Sequence, residues 1–319
     1  MEQSKPSIWK IIKQSFQDFF PQNPFRHCAA IAYYTVFSLP GMAIIAVMVA
    51  GSFYEQDAVR TELLNQVRLL MGSSSSEQIQ ELMNKAVLAA DSIVLKVIGI
   101  GTLVISATTV FASFQDSINA IWHIRPKPEK QIFNFLLNRL LSLAMIVSIG
   151  FLLLVSLMAD TLIAILGDAV AILFTDLSLV LVMTINFLFS FTIITLVFMA
   201  IFKVLPDAQV RWGHVWKGAI ITAVLFIGGK FIIGFYLSQS QIGDAYGAAG
   251  SLVALLTWVY YSVLIVLYGA QFTFTYNKLM GNTILPDKDA VAIRVEEIES
   301  KNKSVTEMDD KTSSPSTSR

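Results

Sequence analysis

Charge is what this sequence has least of. Of its 319 residues, 14% are Asp, Glu, Lys or Arg and 55% are hydrophobic, whereas soluble domains are about a quarter charged. The few charges balance to a formal net of zero, so no global field draws the chain toward nucleic acid. A single cysteine, Cys28, excludes an intrachain disulfide framework and a thiolate metal cluster. The three histidines, His27, His123 and His214, lie far apart. None has metal-site spacing to another His, Cys or carboxylate. A Gly-x-x-x-x-Gly-Lys-Ser/Thr phosphate loop and a Gly-x-Ser-x-Gly elbow are also missing. No cofactor and no catalytic constellation is therefore expected, and the chain reads as a non-enzyme. No cleavable signal peptide is expected either. The first apolar run begins near Cys28 and lasts about 23 residues, too long for a signal h-region and long enough to cross a bilayer.

Long apolar runs are what the sequence has instead. Six qualify as spans: about Cys28–Phe53, Ser92–Phe114, Leu136–Leu166, Leu177–Phe202, Gly218–Leu237 and Gly250–Tyr276. The third exceeds a bilayer's thickness and implies tilt or an extension beyond it. The expected fold class is all-α, a polytopic membrane protein with six transmembrane helices. Residues 1–26 form a cytoplasmic segment before the spans. There Trp9, Ile12, Phe16, Phe19 and Phe20 recur at helical steps beside Lys10 and Lys13, and Pro21 ends the pattern. Such a helix either lies on the membrane surface or packs on the protein's own cytoplasmic face.

Residues 27–280 form the six-span domain, and its one large interruption is Tyr54–Asp91. Leu63, Leu64, Val67 and Leu70 make one stripe there; Ile79, Leu82, Met83, Ala86 and Val87 make another. Gly72 and the following serines mark a turn, and Ser74 with Glu77 has capping-box spacing. An outer helical hairpin, residues 54–91, is expected. Residues 281–319 end in a Ser-, Thr- and Lys-rich tract and read as a mostly disordered tail. Orientation follows from the basic residues. One set of segments (the N-terminal segment, the loops after spans two and four, and the tail) carries 18 Lys and Arg, and the other side carries 3. Both termini are thus expected in the cytoplasm, with the hairpin outside.

A charge inside a span needs a reason. Lys230 lies deep in the fifth span, after Gly228 and Gly229. It reads as a counter-charge for an anionic substrate or lipid headgroup, as a lysine that snorkels outward, or as a structural partner of a carboxylate such as Asp160. Asp160, in the third span, faces a cavity or marks that span's outer end. Lys96 lies near an outer end and can snorkel. Asp116 reads as a cap on the loop after span two. The expected cavity joins Lys230 and Asp160 to Tyr33, Tyr34, Trp258 and Tyr260. Pro40 can kink the first span. Gly229, Gly234, Gly247, Gly250 and Gly269 read as close-packing or hinge positions.

Several of these residues form a pattern. Ala29-Ala-Ile-Ala-Tyr-Tyr-Thr-Val-Phe-Ser-Leu-Pro40 resembles the first-span signature of the YihY/BrkB family of bacterial inner-membrane proteins. Trp122 with Arg125, then Leu205-Pro-Asp207 with Trp212, Gly218 and Ala219, are similar too. So are Tyr246-Gly-Ala-Ala-Gly-Ser251, Trp258-Val-Tyr-Tyr261 and Tyr268-Gly-Ala-Gln271. The resemblance covers about residues 10–280. It implies six spans in the bacterial cytoplasmic membrane and roles linked to virulence, serum resistance or export of envelope lipids. The family's older ribonuclease BN label finds no nuclease constellation here. Family members often carry a carboxylate near Gln271; this neutral Gln carries over no charged role.

Two functions from different classes compete. The first is a transporter or lipid-translocating protein, acting on anionic lipids or envelope precursors through Lys230. The second is a scaffold for an envelope machine, docking a protein partner through the outer hairpin. Neither involves nucleic acid, and both are set in the lipid bilayer.

Overall fold

A computed structural model describes residues 6–50, 108–127, 177–239 and 250–293, with scattered helical positions between 60 and 84. For residues 37, 39–50, 177–183, 186, 237–239 and 251 it describes the backbone alone.

Helix α1 is Ile8–Phe19. Pro21 cannot continue it, and the chain makes a 3-10 turn, Phe20–Gln22. Asn23 closes this turn at φ 52°, its N–H donating to the Phe20 carbonyl. Asn is one of the few residues that tolerate the left-handed region. Pro24 then opens α2, Pro24–Ala50, at a position where a missing N–H leaves nothing unpaired. The helix runs on through Pro40. Residues 108–121 belong to α3. The remaining helices are α4, Leu177–Val204, α5, Trp212–Gln239, and α6, Gly250–Leu279.

Among the described residues, three stretches are long and apolar enough to cross a membrane: Phe187–Val204, Trp212–Tyr236 and Leu252–Leu279, with mean hydropathies of 2.3, 2.0 and 2.0. They coincide with the apolar runs expected as spans four, five and six. The helices outrun those runs. α5 begins at Trp212 rather than Gly218, and α6 ends at Leu279 rather than Tyr276. Run length senses hydrocarbon thickness, whereas backbone hydrogen bonding continues into the wet turn beyond.

α6 is the hub, packed against α5, α2 and α1, while α4 packs on α5. Cys28, Ile31, Phe202, Val215, Leu267 and Ala270 are among the fully buried side chains where these helices meet. At one end, two short antiparallel ribbons tie the helices together. β1, Ile124–Pro126, pairs with β4, Ala290–Ala292. β2, Ala208–Gln209, pairs with β3, Leu285–Pro286.

These ribbons depart from the all-α expectation. They also bring residues 282–293, expected in the disordered tail, into the fold. Strands this short show no alternation, and their partners lie far away in sequence, so local pattern gives no sign of them. A lone two-stranded ribbon is marginal in water. Here further backbone bonds lock the ribbons to the helix ends. Lys127 N donates to Asp289 O at 2.9 Å, Asp287 N to Asp207 O at 2.9 Å and Ile293 N to His123 O at 2.8 Å.

Most of the expected hairpin at 54–91 and of the second span, and all of the third, lie outside the described residues, as does the tail beyond residue 293. Within 60–84, the Ser76 hydroxyl donates to the Leu64 carbonyl at 2.9 Å. The Arg60 guanidinium donates to the Asn84 side-chain oxygen.

Candidate functional site

Lys230 lies in the second half of α5 with its side chain exposed. It lines a shallow hollow between α5 and α6, together with Phe226, Ile233, Trp258, Tyr261 and Ser262. The hollow has no room for a water-sized sphere. The structure thus brings together two of the residues expected to share a cavity, Lys230 and Trp258. Tyr261 is at the hollow, whereas Tyr260 packs against the apolar core. Tyr33 and Tyr34 do not line it. They sit on α2, 57% and 38% exposed, with their rings edge to face at 5.9 Å. Asp160, Lys96 and Gly247 lie outside the described residues, and nothing is described of the Pro40 side chain.

The glycines divide sharply. A Cβ on Gly229 would come within 2.6 Å of the Tyr261 ring, whereas one on Gly234 would meet nothing within 4 Å. Gly250 is buried at the start of α6. The closest approach lies elsewhere, where α5 and α6 cross through two reciprocal Gly–Thr pairs. A Cβ on Gly218 would fall 1.8 Å from Thr273 Oγ1, and one on Gly269 would fall 1.9 Å from Thr222 Oγ1. Each threonine donates to the carbonyl of the glycine four residues before it in its own helix, Thr222 to Gly218 at 2.7 Å and Thr273 to Gly269 at 2.8 Å. Each helix thus offers a Gly-x-x-x-Thr step, and each threonine seats on the other helix's glycine. Small residues at such crossings let backbones approach within van der Waals contact.

Polar chemistry gathers at the ribbon end. The Asp207 carboxylate accepts from Gln115 Nε2 at 2.9 Å and Asn119 Nδ2 at 2.8 Å. The Asp207 N–H donates back to Asn119 Oδ1 at 2.9 Å. Gln115 and Asn119 are four apart on α3, so they present one face. This knot fastens α3 to the turn between α4 and α5. Burial raises the Asp207 carboxyl above its ordinary range; the Asn119 and Gln115 donors pull it back, and Asp287 pushes it up further. Burial and then the Asp207 charge raise Asp116, although its side chain is exposed and water screens part of the effect. Asp116, the residue expected to cap this loop, is therefore the neighbour of the anchoring residues rather than one of them. The signal for Gln115 and Asn119 was their spacing, which carries no charge to attract notice.

Two buried side-chain atoms here lack a hydrogen-bond partner among the described residues, His214 Nδ1 and Gln271 Oε1. Gln271 donates through Nε2 to Thr275 Oγ1 at 3.0 Å. His27 Nδ1 lies 3.1 Å from Ser117 Oγ, a contact that resembles a base and its nucleophile. Ser117, however, donates its proton to the Ser113 carbonyl at 2.6 Å, so His27 is the donor of that pair. Among the described residues no three His, Cys, Asp or Glu side chains cluster to hold a metal ion.

Apolar helices gathered round α6, with a charged and hydrogen-bonded cap at one end, define a helical integral membrane protein. The chain belongs to the Virulence factor BrkB family, whose family model matches residues 15–293. The resemblance read from the first- and last-span motifs is thereby confirmed. A UPF0761 membrane protein of Kangiella koreensis is 27% identical over 274 residues, 83% of this chain and 64% of the relative. One from Azotobacter vinelandii is 24% identical over 267 residues, 83% of this chain and 62% of the relative. One from Tolumonas auensis is 36% identical over 88 residues, 27% of this chain and 29% of the relative. The chain spans less than two thirds of the length of these curated relatives. No solved structure matches.

Proposed function

We propose that this chain is a six-span protein of the bacterial cytoplasmic membrane that translocates an anionic lipid or envelope precursor, with Lys230 as the counter-charge. It acts without a cofactor and without covalent catalysis. The reading rests on Lys230. It is the single Asp, Glu, Lys or Arg between Lys217 and Lys278 in the described parts of α5 and α6. A lysine at mid-membrane costs about 2.5–3.5 kcal/mol on insertion scales. Gln239, the last described residue of α5, is about 13 Å further along the helix at 1.5 Å per residue, a long reach for snorkelling. A headgroup phosphate or carboxylate beside Trp258, Tyr261 and Ser262 would neutralise the charge. Because the hollow admits no water-sized sphere, passage requires α5 and α6 to part. The Gly228–Gly229 pair beside Lys230 is the weakest point of α5 for that movement.

The 18-to-3 distribution of Lys and Arg supports cytoplasmic termini and an outer hairpin. The Ser76–Leu64 and Arg60–Asn84 bonds favour that hairpin, because they join its two halves. They also favour a second reading, in which the hairpin docks an envelope protein partner.

Mass spectrometry of lipids co-purified with the protein tests the first reading. Lys230→Met should lose the anionic lipid and Lys230→Arg should keep it, at equal membrane abundance. Undiminished anionic lipid on Lys230→Met would remove the basis of the proposal. The second reading requires that deleting residues 54–91 abolish a crosslinked partner.

A further inference from the structure

The N-terminal helix presents two apolar flanks, and only one is occupied. At about 100° per residue, Ile11, Ser15 and Phe19 of α1 fall on one flank, and all three are buried. Phe19 meets the Tyr268 ring edge to face at 5.6 Å, so this flank docks on α6. Phe16, Trp9 and Phe20 cluster about 120° round the helix from Ser15. They are 55%, 74% and 43% exposed. Phe16 stacks edge to face on Phe20 at 4.8 Å, and Phe20 meets Phe25, 49% exposed at the start of α2, at 5.9 Å. The third flank is polar, with Lys10, Gln17, Gln14 and Asp18. Gln14 donates to Asp18 at 2.8 Å along it. One helix therefore has a protein side, an aromatic side and a water side.

The depth of α1 says what covers the aromatic side. Phe19 reaches α6 at Tyr268, and Trp122 Nε1 donates to the next turn at Ala270 O, 3.0 Å. Just beyond that level α6 turns polar inside, with Gln271, Thr273, Thr275 and Asn277 buried. Lys203, Arg211, Lys217 and Lys278 lie on that side too. α1 thus sits where the apolar part of the bundle gives way to its charged cap, which is the level of lipid headgroups. A few residues on begins α2, whose apolar run is the expected first span.

We infer that the Trp9–Phe16–Phe20–Phe25 face inserts into the headgroup–acyl boundary of the adjoining leaflet, and that Lys10, Lys13 and Arg26 bind the phosphates of anionic phospholipids there. An exposed aromatic face beside lysines is the composition of an in-plane interfacial helix. Basic residues next to it draw anionic lipid to the surface. The inference rests on the chain being a membrane protein and not on translocation through Lys230.

The test uses the full chain, with Cys28→Ser, in nanodiscs of phosphatidylcholine with or without phosphatidylglycerol. A spin label at Phe16→Cys should be more accessible to oxygen than to an aqueous nickel chelate, and one at Gln17→Cys should show the reverse. Phosphatidylglycerol should drive the Phe16 label deeper, and the combined Lys10→Gln, Lys13→Gln and Arg26→Gln variant should lose that shift. A Phe16 label freely accessible to the nickel chelate overturns the inference. So does one immobilised by a second copy, seen as spin–spin broadening that vanishes on dilution with unlabelled protein. Should Phe16→Cys disturb folding, the fluorescence lost on Trp9→Phe provides the second readout. That component should be quenched by lipids brominated near the headgroup and not by aqueous acrylamide.

Discussion

At the scale of single residues, the α5–α6 crossing makes the sharpest demand. Gly269 faces a threonine whose hydroxyl is held to its own helix, so no flexible end can swing aside. Gly269→Ala should destabilise the helix pair by about 1–3 kcal/mol, the usual cost of overpacking, as read from SDS-induced unfolding. Thr222→Ala should recover part of that loss, since it removes Oγ1 but leaves a Cβ 2.9 Å away. Gly234→Ala meets nothing and should be neutral or slightly stabilising. A Gly269→Ala protein as stable as its parent would mean the two backbones do not meet here. Gly234 and Gly269 look alike in the sequence, because both are small residues in apolar runs. Which one touches a neighbour depends on the rotation of two helices about their axes, and runs this uniformly apolar do not encode that rotation.

The carboxylates of the cap make a second demand, one that depends on pH. Asp207 and Asp116 both have carboxyls raised above their ordinary value, so the folded chain holds these protons more tightly than the unfolded chain. Their contribution to stability is therefore greatest at low pH. It falls as pH rises from the ordinary value of about 3.9 toward the raised ones. Asp116→Asn removes one such group and its repulsion on Asp207. It should flatten this part of the stability profile, measured by thermal unfolding in detergent across the acidic range. An unchanged slope would remove Asp116 from the coupling. Asp207 itself stood out in sequence only within a motif, beside Leu205 and Pro206. Its partners Gln115 and Asn119 are distant in the chain and uncharged, so the fold had to bring them into view.

At the scale of elements, the two ribbons decide where the folded unit stops. The stretch from 282 to 293 reads as tail because it is short, mixed in composition and broken by Pro286. Its order comes from partners it cannot reveal alone, β1 and β2. Ending the chain after Ile293 should leave abundance and protease resistance unchanged. Ending it after Gly281 removes both ribbons and the Asp287–Asp207 and Ile293–His123 bonds. That shorter chain should be cleaved more readily between α4 and α5, where the Asp207 turn loses its cover. Equal resistance of the two truncations would make the ribbons incidental. The existence and placement of the long helices, by contrast, were legible. α4, α5 and α6 fall on the apolar runs expected as spans four, five and six, because hydrocarbon imposes a length that a sequence displays directly. The helix ends lying in water gave no such signal.

At the scale of the whole molecule, orientation turns on a charge asymmetry that reappears in three dimensions. Among the described Lys and Arg outside residues 60–84, all but Lys230 belong to α1, the start of α2 or the ribbon end. If that end faces the cytoplasm and α2 crosses the membrane once, as its apolar run predicts, the segment containing Ser74 emerges on the opposite side. Cysteine labelling decides this in one experiment. In a Cys28→Ser background, Ser74→Cys should react with a membrane-impermeant maleimide in intact cells whose outer membrane has been permeabilised. Ser316→Cys should react only after the inner membrane is opened. Cys28 is buried, so its replacement also removes a reactive group that could emerge if the protein loosens. Labelling of Ser316→Cys in sealed cells would invert the molecule. The aromatic face of α1 would then lie in the outer leaflet of the cytoplasmic membrane. Orientation thus sets which leaflet α1 meets, while its lipid contact and the counter-charge role of Lys230, deep within α5, are each decided by their own experiment.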